Sequence, residues 1–252
     1  MAALRVEQAG DTLRVTIARP ERRNAFDAAL IQELTEAFSD VGNARAVVLA
    51  GEGESFCAGA DVDWQRASID LSFEENVEDA LRLHAMLAAV DSCPAPVVAR
   101  VQGYALGGGS GLVACADIAV AGHDATFGFT EVRLGIIPAV ISPFVFAKIG
   151  PGAARRFFLT GERFDARTAL RIGLVHGVAE ELDDAVTRIV GEILKSAPGA
   201  TRAAKQLVRE RPGEGEELAR VAAGLRAGEE GQEGLRAFLE KRNPEWTSKS
   251  SS

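Results

Sequence analysis

Residues 101–122 run VQGYALGGGSGLVACADIAVAG, in which Gly107, Gly108, Gly109 and Gly111 crowd together. They stand between a strand-like run, APVVARV, and a helix-like run, GLVACADIAV. Fixing glycine costs backbone entropy, so such a cluster belongs where the chain turns sharply or something approaches its backbone. A glycine-rich strand-to-helix junction also leaves N–H groups at the helix start without intrahelical acceptors. With the helix dipole behind them, these donors suit a negatively charged oxygen.

Three familiar motifs fail here. A phosphate loop needs Gly-Lys-Ser/Thr, and no lysine follows. The dinucleotide fingerprint needs a third glycine where Leu112 stands, and a nucleophile elbow around Ser110 fails at the same residue. A second junction has a similar character: VVLAGEGESFCAGADVDW leads from a buried strand into Ala58-Gly59-Ala60-Asp61. Either junction alone can be just a tight turn. Together they suit an oxyanion hole made of two backbone donors.

Outward from these junctions, LRVEQAGDTLRVTIARP predicts two alternating strands joined at Gly10-Asp11. DAALIQELTEAFSDV predicts a helix, with Asp27 as its N-cap and Leu30, Ile31, Leu34, Phe38 and Val41 on one face. ARAVVLAG and PVVARVQG predict buried strands, the second followed directly by the helix GGSGLVACAD, and SFEENVEDALRLHAMLAAVDS predicts a helix stopped by CPAP. IAVAG, ATFGF and LVHGVAE predict short strands. AVISPFVFAKIG, PGAARRFFLTG, FDARTALRIG and LDDAVTRIVGEILKSA predict helices. Strands alternating with helices argue for an α/β core with right-handed crossovers. From Pro198 the chain turns helical and strand-free. We therefore divide it into a core (1–197), a C-terminal helical subdomain (198–246) and a disordered tail (247–252).

The 252 residues carry 28 basic and 36 acidic side chains, so no broad face for nucleic acid is expected. Cys57, Cys93 and Cys115 lack metal or disulfide spacing and suit reduced, buried thiols. His84, His123 and His176 lie far apart, so no metal site is expected. With no signal-like or membrane-length apolar run, a cytoplasmic protein without membrane partners is expected.

Five collinear blocks resemble the crotonase (enoyl-CoA hydratase/isomerase) superfamily: RPERRNAFDAALIQEL, FCAGADVDW, VQGYALGGGSGLVACADIAVA, ATFGFTEVRLGIIPAVISPFVFAKIG and FFLTGERFDARTALRIGLVHGV. The resemblance implies a ClpP-like spiral of ββα turns with an α-helical C-terminal trimerisation region, assembled as a homotrimer or homohexamer. It implies an acyl-CoA thioester substrate, coenzyme A entering as part of it with no separate cofactor. The thioester carbonyl would be polarised by the N–H groups of Ala60 and Gly108. Adenine would lie against the backbone of Ala58 and Ala60, with Gly59 also in the CoA-binding loop that Asp61 and Val62 continue. Arg22 and Arg23 are candidates for the CoA phosphates, though arginines on a turn equally suit solvation. Phe238 and Lys241 match C-terminal residues that reach CoA in some members.

One departure matters. Hydratases of that family commonly use two glutamates, one just after the triple glycine. The later one is present as Glu131, among FGFT and VRLGIIP, whose apolar character should bury the carboxyl and raise its pKa. The earlier position is Gly111, a carboxylate replaced by space if the position faces the substrate. Hydration needs a base for water and an acid for the α-carbon, whereas moving a double bond needs one shuttling base. GGGSGLVACAD with EVRLGIIPAVISPFV most resembles the methylglutaconyl-CoA and related branched enoyl-CoA hydratases, a subgroup that often has glycine there. A hydratase acting on a short or branched 2-enoyl-CoA is therefore expected, with a double-bond isomerase as the alternative. An acyl-CoA-binding protein without catalysis is the reading from another class. Trp64, Phe129, Ile136, Pro138 and Phe144 could line a pocket or belong to the core.

Overall fold

The computed structural model describes residues 2–210 and 213–248. Strands β1 (Leu4–Ala9) and β2 (Thr12–Ile17) form the expected hairpin. Helix α1 (Ala28–Ser39) follows, its first turn capped by Asp27, which accepts from the Leu30 N–H at 3.0 Å. Then come β3 (Ala46–Gly51), buried along its whole length, and a short α2 (Val62–Ala67). Helix α3 (Phe73–Ser92) opens on a reciprocal Ser72–Glu75 cap and buries Met86, Leu87 and Val90.

The chain continues through β4 (Val97–Val101), β5 (Tyr104–Leu106), α4 (Gly108–Cys115), β6 (Ile118–Gly122) and β7 (Thr126–Gly128). Helix α5 (Ser142–Thr160) leads to β8 (Arg163–Asp165), α6 (Ala166–Arg171), β9 (Gly177–Ala179) and α7 (Leu182–Lys195). Four helices end the described chain: α8 (Pro198–Glu210), α9 (Glu216–Ala227), α10 (Glu229–Glu240) and α11 (Glu245–Ser248).

The main sheet has the order β1-β2-β3-β4-β6-β9, parallel from β2 onward. A smaller sheet, β5-β7-β8, is widened by single bridges pairing Phe26 with Ala60 and Cys57 with Ala105. The chain thus climbs as strand, short strand, helix: β4, β5, α4, then β6, β7 and on to α5. This is the expected spiral of ββα turns. Each turn delivers a short strand of the second sheet to the foot of a helix, and both glycine junctions lie on that seam.

Two expectations need correction. The glycine junction does not follow the buried strand directly, because β5 intervenes; three residues are too few for alternation to show. The two helices expected between Ala139 and Gly161 are both present, written together here as α5, and they part at Gly150, whose φ 72° and ψ 158° lie outside the helical region. Pro143 is tolerated because it stands in the first turn, where its missing N–H costs no helical bond. The expected tail begins too early: Thr247 and Ser248 belong to α11, and 249–252 lie outside the described residues.

The C-terminal helices are pinned to the core by cations. Lys205 Nζ donates to Asp117 Oδ2 at 2.7 Å, and Arg209 pairs with Asp91. Arg45 donates to Asp11 and to the carbonyls of Leu194, Ser196 and Trp246. Apolar side chains remain exposed on α9 (Leu218, Val221, Leu225) and α10 (Leu235, Phe238, Leu239). No described helix is long and apolar enough to cross a membrane.

Candidate active site

Each glycine of the triplet is required for a different reason. Gly107, ahead of α4, has φ 52° and ψ −121°, a conformation costly for any residue with a Cβ. A Cβ on Gly108 would stand 2.3 Å from Phe26 Cζ, and one on Gly109 would stand 2.1 Å from the Cys57 carbonyl oxygen. Ser110 locks the turn: its buried hydroxyl donates to Ala105 O at 2.6 Å and accepts from Gly128 N–H at 3.3 Å. Gly107 N–H is taken by Gly128 O, and Gly111 N–H by Gly107 O. Gly108 N–H, first in the helix, has no acceptor among the described residues.

The second donor loop runs alongside. Phe26 N–H donates to Gly59 O at 2.9 Å, and Asp61 N–H donates to Phe26 O at 3.0 Å. Ala60, between them, turns its own N–H away from Phe26, and no described residue accepts it. Gly59 has φ 91°, and a Cβ there would lie 2.7 Å from Leu106 O and 3.7 Å from Gly108 N. The two loops are therefore in contact, and glycine is what permits the approach. Asp61 anchors the far side of this loop. Its buried carboxylate caps α2 through Asp63 N–H at 2.8 Å and pairs with Arg19 at 3.2 Å. Arg19 also holds Ala25 O and Asp27.

Glu131 opens a short 3-10 turn, Glu131–Leu134, directly after β7 and the buried Phe129. Its Oε1 lies 3.3 Å from where a Cβ of Gly107 would stand, so the carboxyl faces the foot of α4. Its Oε2 is buried and has no hydrogen-bond partner. Burial pushes its pKa above the ordinary 4.5, against a smaller opposing effect of its own backbone N–H. A buried carboxyl with an open lone pair, beside two unpartnered N–H donors, can move a proton next to a developing oxyanion.

The remaining expected site residues divide. Ala58, Gly59, Ala60, Gly107, Gly108 and Glu131 come together. Arg22 is not free: it donates to Asp63 at 2.8 Å and lies 3.8 Å from Asp61. Arg23 extends instead over the Tyr104 ring, 5.5 Å from its centroid, on the wall of a cavity of about 960 Å³ at the opposite end of β5 from Gly108. Val62 is exposed, as are Phe238 and Lys241 on and just after α10. Phe129 and Pro138 are core residues, Ile136 is exposed, and Trp64 and Phe144 pack partly buried against the core.

The expectation of empty space at Gly111 is corrected. Gly111 is buried, and a Cβ there would meet Ile141 Cγ2 at 2.6 Å and Leu87 Cδ2 at 3.5 Å. The space is filled, because Ile141 returns from the Glu131 segment to pack on α4. Sequence reasoning also missed Phe26, which touches both donor loops, and Arg19. All three cysteines are buried and free, and burial drives the Cys57 thiol up to about 12. Among the described residues no group of His, Cys, Asp and Glu is placed to hold a metal.

A family model described as enoyl-CoA hydratase/isomerase matches residues 7–249. A crotonyl-CoA hydratase of Syntrophomonas wolfei is 35% identical, covering 92% of this chain and 93% of its own. Among solved structures, Pseudomonas aeruginosa AtuE superposes with a TM-score of 0.92 at 38% identity, covering 98% of this chain and 100% of its own. An enoyl-CoA hydratase from Shewanella pealeana gives 0.90 at 37%, covering 97% and 96%. The chain belongs to the enoyl-CoA hydratase/isomerase family.

Proposed function

We propose that this member of the enoyl-CoA hydratase/isomerase family is a hydratase of short or branched 2-enoyl-CoA thioesters, working with one carboxylate. The observation that carries this reading is the open Oε2 of Glu131 beside the unpartnered N–H groups of Ala60 and Gly108. The thioester oxygen accepts both N–H bonds. Glu131, as carboxylate, takes a proton from water while the hydroxyl oxygen bonds to the β-carbon. The electron pair of the double bond moves through the α-carbon onto the thioester oxygen as an enolate. Glu131, now protonated, returns that proton to the α-carbon. Water is added with no proton left over, and one group serves as base and then as acid.

Coenzyme A is held along Ala58–Val62, with Arg23 the freer of the two arginines for a phosphate; Arg22 is occupied by Asp61 and Asp63. The exposed apolar faces of α9 and α10 supply the contacts of a trimer or a dimer of trimers. The resemblance of GGGSGLVACAD and EVRLGIIPAVISPFV to methylglutaconyl-CoA hydratases supports a branched acyl chain.

A second reading rests on the filled space at Gly111. Without a second carboxylate, Glu131 can take a proton from the α-carbon of a 3-enoyl-CoA and return it to the γ-carbon, which is isomerisation. A panel of straight and branched 2- and 3-enoyl-CoA thioesters, with products identified by mass and chromatography, separates the readings. 3-Hydroxyacyl-CoA as the dominant product supports hydration. Bond migration without water uptake favours the isomerase, and no turnover on any member leaves an acyl-CoA-binding protein.

A further inference from the structure

Helix α4 carries the Gly108 N–H at one end and reaches the turn into β6 at the other, roughly 10 Å away along its axis. Between the ends it is buried, and it offers its surroundings glycines and the apolar Leu112, Val113, Ala114 and Cys115. Apolar burial is non-directional, so it settles what the helix packs against more firmly than where it stands along its axis. Polar ties at the two ends supply that direction. At the first end the tie is Ser110, between Ala105 O and Gly128 N–H. At the far end it is the partly buried Lys148, whose ammonium donates to Ala116 O at 2.6 Å and to Asp117 O at 3.1 Å. Lys148 belongs to the first half of α5, the helix that follows the Glu131 turn. It thus joins the far end of the donor helix to the segment that carries the carboxylate. A separate tie leads to the C-terminal helices, for the Asp117 carboxylate accepts from Val97 N–H and from Lys205 Nζ, each at 2.7 Å.

We propose that Lys148 is a positioning residue that sets the axial place of α4, and with it the place of the Gly108 N–H relative to Ala60 and Glu131. The proposal rests on the reading of the Ala60 and Gly108 N–H groups as oxyanion donors. Lys148 grips α4 at the end away from Gly108, so it acts through the helix and not by touching substrate. A cation at the carbonyl end is also the charge that the helix dipole favours there. Without the ammonium, the turn after α4 loses its polar hold on α5, and a shift of about 1 Å at a reacting centre is enough to cost on the order of 10²-fold in rate. Lys205 grips the same turn through the Asp117 side chain but leads to α8, so it secures the C-terminal helices and not the Glu131 segment.

The test compares the full-length parent with Lys148→Met and Lys205→Met. The probe is an aryl-conjugated 2-enoyl-CoA thioester, whose absorption moves to longer wavelength when N–H donors polarise its carbonyl. Lys148→Met should bind the probe within a few-fold of the parent and yet lose most of that red shift. Its kcat on the substrate found with the thioester panel should fall about tenfold or more, short of the roughly 10²–10³ of an outright lost donor, with KM within a few-fold. Lys205→Met should melt below the parent but keep both the red shift and kcat, which separates positioning from general loosening. A folded Lys148→Met with the parent's red shift and kcat overturns the proposal. So does an equal loss of both in Lys205→Met. If Lys148→Met does not fold, Lys148→Gln takes its place under the same criteria, since its shorter, uncharged arm cannot hold both carbonyls as the ammonium does. A parent that binds the probe with no red shift overturns the oxyanion reading itself, an outcome distinct from a parental red shift that survives in Lys148→Met.

Discussion

The Phe26 ring presses on the backbone of Gly108, closely enough that a Cβ at 108 would lie 2.3 Å from Cζ. Phe26 is also the residue whose N–H and C=O hold Gly59 and Asp61, so one buried side chain and its backbone set both donor loops. Gly108→Ala must therefore push the ring or the helix start, and either movement displaces an N–H group proposed as an oxyanion donor. We expect turnover to fall by roughly 10²–10³, as when one oxyanion donor is lost. Phe26→Leu in the same chain should recover part of it. Steady-state kinetics on the substrate found with the thioester panel checks this; a Gly108→Ala enzyme as fast as the parent would contradict it.

Burial raises the Glu131 pKa above 4.5, which fixes the sign of two pH effects. As a base the carboxyl must be ionised, so kcat/KM should fall on the acid side with an apparent pKa above the ordinary glutamate value. For stability, the folded state binds this proton more tightly than the unfolded one. The stabilising contribution is present below the unfolded pKa and is lost as pH rises through the raised folded pKa. Glu131→Gln should thus gain on the parent in melting temperature across that window, in scans from about pH 4 to pH 8. Parallel melting curves throughout would contradict it.

Ser110 is buried and has its hydroxyl engaged at both ends, with Ala105 O and Gly128 N–H. It acts as a structural tie, not as a nucleophile. Ser110→Ala leaves Gly128 N–H without its partner and should cost about 1–3 kcal/mol of stability by chemical denaturation. Turnover of the folded variant should stay within a few-fold. A loss of several orders of magnitude in a well-folded protein would give Ser110 a chemical role.

Arg19 is the main charge partner of the buried Asp61 carboxylate, with side-chain exposures of 16% and 4%. Arg19→Met should leave that charge poorly compensated and cost on the order of 3 kcal/mol. Because Asp61 follows Ala60, the substrate KM and kcat should both suffer. Asp61→Asn in the same chain should restore much of the stability, measured by denaturant titration. If Arg19→Met alone is as stable as the parent, the pair does not hold the loop.

What could be read from the sequence was local. Glycines crowded at a strand–helix junction imply free N–H groups whatever lies around them, and apolar neighbours imply that Glu131 is buried. What could not be read was long-range packing. Nothing near Gly111 indicates that Ile141, thirty residues on, fills its space, and nothing near Gly108 points to Phe26. Strand β5 stayed invisible because its three residues gain their partners from β7 and the Cys57 loop, not from any pattern of their own. Arg22 looked available because its partners Asp61 and Asp63 lie some forty residues away.

The reading of Glu131 as the one proton-transfer group is tested most directly by turnover of Glu131→Gln on an enoyl-CoA thioester, with CoA binding measured on the same preparation. The amide keeps the shape of the side chain and removes only its capacity to carry the proton. Binding should be retained, and turnover should fall by about 10²–10⁴-fold. Turnover within a few-fold of the parent, in a folded protein that binds CoA normally, would contradict the mechanism.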